Sequence, residues 1–140
     1  MLRAHAGART AAAGAGPPQS GIGNNMVLGA DYAPAGQGFA IVNQTGRFAA
    51  GDPIALLVNM NGRPFGTTSL QLLLVHVESN GTEVVVDSAA ETISNPNFTE
   101  YAIKWPSSGR LMGNNPPGVY KFELTDYHTV LARASFYYTG

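Results

Sequence analysis

The stretch from Gly118 to Tyr138, GVYKFELTDYHTVLARASFYY, alternates apolar and polar side chains with a period of two on both sides of a short polar break. Val119 to Asp126 sets Tyr120, Phe122 and Leu124 on one face and Lys121, Glu123 and Thr125 on the other. That is the pattern of a strand with one face in a core and the other in water. After Asp126-Tyr127-His128-Thr129 the alternation resumes, with Val130, Ala132, Ala134 and Phe136 opposite Leu131, Arg133 and Ser135. Two such runs joined by four residues predict a β-hairpin.

The rest of the chain repeats the theme. Gly and Pro together make up 26 of 140 residues and charged residues only 12%, which suits short strands joined by many turns. Strands are expected at Met26 to Leu28 and Gly38 to Asn43, separated by a Pro/Gly loop, then at Pro53 to Met60 and Leu70 to Glu78. Ser79-Asn80-Gly81 is a turn signal leading into a hairpin partner at Thr82 to Ser88. Ala89 to Glu91 reads as loop, because Asn95-Pro96-Asn97 stops any helix before it gains length. In Phe98 to Trp105, the set Thr99, Tyr101, Ile103 and Trp105 is expected to be the buried one. No helix is expected.

Residues 1–24, rich in Ala and Gly and without periodicity, read as a flexible N-terminal segment or linker, which leaves residues 25–140 as one sandwich domain. The segment carries Arg3 and Arg9 and no acid, so the body holds six basic and nine acidic residues. That mild acidity, with no basic run, speaks against a nucleic-acid partner. The longest apolar run, Leu72 to Val75, is far short of the roughly 18 residues of a spanning helix.

Catalytic and metal chemistry find little to work with. Cysteine is absent, which excludes disulfides and thiolate sites. His5, His76 and His128 have no ligand spacing, and His76 reads as a histidine at the margin of the core. No nucleophile elbow, phosphate loop or dinucleotide fingerprint occurs, and the acids Glu78, Glu83, Asp87 and Glu91 read as solvated strand residues. No catalytic residue, metal site or cofactor is expected. Sequons at Asn43, Asn80 and Asn97 are short patterns on which no glycosylation is predicted.

The segment NNPPGVYKF, Asn114 to Phe122, resembles the tyrosine-corner region of immunoglobulin-like sandwiches, with Tyr120 as the corner tyrosine. Strand count and order over roughly residues 37–138 resemble that fold, with Phe122 standing where antibody domains carry a cysteine. The looser resemblance is to immunoglobulin-like accessory modules of bacterial surface and secreted proteins, which implies a non-enzymatic module. The expected fold is therefore an all-β, immunoglobulin-like β-sandwich of about seven or eight antiparallel strands.

In immunoglobulin order, the loops Asn59 to Thr68 and Asp126 to Thr129 cluster at one end and present Arg63, Phe65, Tyr127 and His128 as candidate ligand-binding residues. The competing reading has Phe65 turned inward as a plug. The expected function is a binding or spacer module outside the cytoplasm, at a cell surface, recognising a protein or a glycan. The alternative is a structural subunit that self-associates when the N-terminal segment adds a strand to a neighbour, with NNMVLGADY as the donor.

Overall fold

The computed structural model describes residues 8–10 and 20–140. The strands are β1 (Ala8–Thr10), β2 (Met26–Ala35), β3 (Gly38–Gln44), β4 (Arg47–Phe48), β5 (Ile54–Asn59), β6 (Ser69–Val77), β7 (Thr82–Thr92), β8 (Glu100–Trp105), β9 (Gly118–Thr125) and β10 (Val130–Tyr138). They form a six-stranded sheet in the order β1-β7-β6-β9-β10-β4 and a four-stranded sheet in the order β3-β2-β5-β8. All neighbours pair antiparallel except β4, which runs parallel to β10. This is the immunoglobulin-like sandwich, with the predicted hairpin as β9–β10.

The inner faces follow from the alternation. Leu70, Leu72 and Leu74 of β6, Tyr120, Phe122 and Leu124 of β9, and Ile54, Leu56 and Val58 of β5 are all fully buried. Tyr101, Ile103 and Trp105 of β8 pack against them, as the alternation predicts. An aromatic column runs through this core. His76 stacks on Tyr120 with centroids 4.6 Å apart, Tyr120 on Phe136 at 5.9 Å, Phe136 on Phe122 at 5.1 Å, and Phe122 on Trp105 at 5.4 Å with the rings 2° from parallel. The Tyr120 hydroxyl donates to the Pro116 carbonyl at 2.5 Å, which is the tyrosine corner. Burial pushes the phenol up to about 12, so it stays a donor across the physiological range.

Several expectations are corrected by packing. The second face of β9 is not in water: Glu123 is 1% exposed, and Lys121 bridges Glu83 at 2.8 Å and Glu123 at 3.3 Å. β7 runs through Ala89 to Thr92, because β6 supplies a pairing partner for each of those residues and overrides the weak local signal. Pro34 sits inside β2, tolerated because β5 pairs only with Met26 to Gly29 and leaves the far half of β2 without a partner on that side. That half and β3 form a ribbon held to β8 by a Lys104–Asp31 ion pair at 3.2 Å and by the Phe39 N–H donating to Glu100. In β10 the register shifts between Val130 and Ala132, so Val130 turns out to solvent and Leu131 packs on the core. A five-residue helix, α1 (Ser108–Met112), also forms where none is expected, with Ser107 as N-cap and Leu111 and Met112 buried.

Most of the expected linker, 1–7 and 11–19, lies outside the described residues. Of the remainder, β1 pairs along the edge of β7. Asn24 exchanges backbone hydrogen bonds with Arg133 of β10, while Gly21 accepts from the Leu28 N–H. Gly23 is required there, since a Cβ would overlap the Arg133 carbonyl.

Tyr120→Phe is expected to lower unfolding stability by about 1–2 kcal/mol with an unchanged denaturant slope, the scale of one buried hydrogen bond. Phe122→Ala is expected to cost about 3–5 kcal/mol by opening a cavity in the aromatic column. Urea titrations of both variants measure the difference.

Candidate functional site

One end of the sandwich is built from three loops and the turn before β2. The loop 60–68 leaves β5 for β6, the loop 93–99 leaves β7 for β8, and the loop 126–129 joins β9 to β10. The first two loops are cross-tied by backbone. The Phe65 N–H donates to Phe98 O at 2.9 Å, Gly66 N–H to Pro96 O at 2.9 Å, Met60 N–H to Thr99 O at 2.9 Å and Ile93 N–H to Thr68 O at 2.9 Å. Asn25 joins the loops to the start of β2, donating its side-chain amide to Leu131 O at 3.1 Å while its carbonyl accepts from Asn59 N–H at 2.9 Å. A loop end tied in this way is held in one geometry rather than ordered on contact.

The four candidate residues separate. Arg63 is exposed, with its guanidinium Nε donating to Met60 O at 3.3 Å. Tyr127 is 52% exposed and His128 is exposed beside it. Phe65 is 6% exposed and belongs to the core with Met60 and Ile93, so it plugs the end of the sandwich and presents no ring to solvent. Its own N–H straps the loop to Phe98, and its ring packs in the core.

Phe98 is the displayed aromatic on this side, 46% exposed, and the sequence reading did not single it out. A signal was present: Phe98 falls outside the buried alternation of Tyr101, Ile103 and Trp105, just before the first residue of β8.

The loop 126–129 is organised by one carboxylate. Asp126 Oδ1 accepts from His128 N–H at 2.9 Å, Thr129 N–H at 2.7 Å and the Thr129 hydroxyl at 3.3 Å. The backbone N–H groups of Thr129 and His128 hold this carboxyl below its ordinary range. The same loop holds Tyr127 at φ 70°, the left-handed region that a bulky side chain rarely adopts. Its N–H donates to the Thr125 hydroxyl at 3.2 Å. Tyr127 is thus an exposed, strained side chain at a position where glycine or asparagine would be unstrained.

Beside Tyr127 lies a shallow depression of about 200 Å³ lined by Gln71, Thr125, Tyr127, His128, Thr129 and Val130. Larger depressions lie away from the loop end, among them one of about 380 Å³ along His76, Glu78, Pro117 and Tyr137 and one of about 360 Å³ beside Arg47 and Asp52. Several of their side chains are already engaged: His76 stacks on Tyr120, Arg47 covers the Tyr137 ring at 4.9 Å, and Asp52 accepts from Ala49 N–H at 2.8 Å. Among the described residues, no three of His, Asp and Glu converge as a metal site.

The chain is similar in backbone to an immunoglobulin-like protein from Pseudomonas aeruginosa, with 17% identity, a TM-score of 0.49, and coverage of 91% of this chain and 99% of that one. It is also similar to the PmoD soluble domain from Methylocystis sp. ATCC 49242 (Rockwell), with 7% identity, a TM-score of 0.43, and coverage of 81% and 88%. Neither likeness assigns a role to a residue. No family model matches the chain, and no curated protein matches it in sequence.

Tyr127→Gly is expected to leave thermal stability unchanged or raise it by about 0.5–1 kcal/mol, since glycine relieves the left-handed strain. Asp126→Asn is expected to melt lower than the parent at neutral pH. Because the Asp126 carboxyl is depressed in the folded state, its contribution is fully present above its unfolded pKa and is lost as pH falls through the folded one. The gap between the two melting curves therefore narrows below about pH 4, as a pH series of melting temperatures checks.

Proposed function

We propose that this protein is a non-catalytic recognition module, working outside the cytoplasm at a cell surface, that engages a protein or glycan partner through the loop end at Arg63, Phe98, Tyr127 and His128. The single observation that carries the reading is Tyr127, exposed and held in a strained backbone conformation by the Asp126 cap. Aromatic rings and an arginine on rigid loops give contact area with polar handles at low entropic cost. The non-catalytic part is supported by the same cap, because the acid next to His128 is committed to the loop's own donors. The cellular placing rests on the fold type alone. No described helix is long and apolar enough to cross a membrane.

A second reading, self-association by strand addition, draws support from β1, since a short N-terminal strand already lies along the edge of β7. Its donor is then Ala8–Thr10 rather than NNMVLGADY, most of which is built into β2.

The test screens the full chain against panels of extracellular proteins and glycans and repeats every hit with Tyr127→Gly and Arg63→Ala. A partner of the loop end is expected to lose at least about tenfold in affinity with Tyr127→Gly, the scale of an interface hot spot. Hits that bind both variants as tightly as the parent refute the loop-end assignment. For the second reading, light scattering of the full chain and of a version starting at Ser20 is expected to show oligomers that vanish on truncation.

A further inference from the structure

We infer that the depression beside Tyr127 is a subsite for a single neutral pyranose unit of a glycan. This rests on the loop end being the recognition surface and goes further, by choosing between its two partner classes. At about 200 Å³ the depression is smaller than the roughly 300–1,000 Å³ of sites that hold drug-sized ligands, so it takes one ring rather than a folded peptide segment.

No Lys, Arg, Asp or Glu side chain lines the depression, which leaves a charged ligand without a complementary partner other than His128. The polar groups present are the Gln71 amide, the His128 imidazole, the Tyr127 phenol, and the Thr125 and Thr129 hydroxyls, whose protons go to Gln71 and Asp126 so that they meet a ligand as acceptors. Sugar hydroxyls both donate and accept, and this set offers both functions. The Thr125 hydroxyl donates to Gln71 Oε1 at 3.2 Å, which fixes the amide's orientation and leaves its NH₂ as the donor for a ligand.

An exposed tyrosine face carries negative quadrupole potential that suits the C–H face of a pyranose. Asp126 pins the loop, so the ring needs little ordering on binding.

A protein partner fits this spot less well. Stable protein interfaces bury about 800 Å² on each side around an apolar centre. Only Tyr127 and Val130 among the large exposed apolar side chains lie at this depression, with Phe98 on a different loop.

The experiment titrates the isotope-labelled full chain with the methyl glycosides of neutral hexoses and N-acetylhexosamines, following backbone amide shifts, with a hexuronic acid and sialic acid as charged comparators. The expected result is saturable shifts confined to Gln71 and Thr125 to Val130 for at least one neutral sugar. The dissociation constant should be on the order of millimolar, as for a ligand of about a dozen heavy atoms. Tyr127→Ala and Gln71→Leu, each checked for an unchanged amide spectrum elsewhere, should weaken it about tenfold and severalfold. No shift from any neutral sugar at 50-fold excess over the protein, or shifts from the acidic sugars alone, overturns the inference. If a protein partner lost in Tyr127→Gly is then found, the loop-end reading survives while the sugar subsite does not. If neither is found, both fall.

Discussion

Everything else in this sandwich is arranged around the aromatic column from His76 through Tyr120, Phe136 and Phe122 to Trp105. It draws on both sheets, since β6, β9 and β10 supply four of the rings and β8 supplies the tryptophan. A chain without cysteine cannot pin its sheets together covalently. Here Phe122 and Trp105 stack across the gap, and each such aromatic pair adds about 0.5–1.5 kcal/mol beyond the area it buries. Taken together the contacts are comparable with the typical 2–4 kcal/mol of a disulfide, and they act in the folded state instead of restricting the unfolded one. Tyr120 fixes the column at one end through Pro116. On the β7–β8 side, Tyr101 donates to Glu91 at 2.6 Å as a further tie between sheets, with burial holding its phenol well above the ordinary range.

Much of this order is legible in residue spacing, because a half-buried strand leaves a period of two that no helix can use. The hairpin β9–β10, the apolar runs of β5 and β6 and the buried set of β8 all read directly. What does not read is whatever depends on contacts between distant parts of the chain. Ala89 to Thr92 carry weak strand propensity and become strand only because β6 is long enough to pair with them. The bulge at Leu131 inverts the faces of Val130 and Leu131, and nothing in the local pattern announces it. Glu123 reads as a solvent residue and is buried, because Lys121 lies against it and screens its charge.

The candidate site shows the same division. Loop order placed Arg63, Tyr127 and His128 at one end, and that follows from topology alone. Which rings face outward is decided by hydrogen bonds between loops far apart in sequence. Phe65 and Phe98 share one such bond and go opposite ways, the first into the core and the second toward solvent. The strain at Tyr127 is also invisible before the backbone is known, since Asp-Tyr-His-Thr gives no hint that its second residue is left-handed.

The parallel pairing of β4 with β10 gives the fold a mechanical property. Tyr137 N–H donates to Gly46 O at 2.7 Å, Thr139 N–H to Phe48 O at 2.8 Å, and Ala50 N–H to Gly140 O at 3.2 Å. Because the two strands run the same way, a pull on the N-terminal side of β4 against the C-terminal side of β10 slides one strand along the other. The three hydrogen bonds are then loaded in shear and at the same moment, instead of opening one after another as a zipper. Resistance to such a load is set by the rate of that concerted rupture rather than by equilibrium stability.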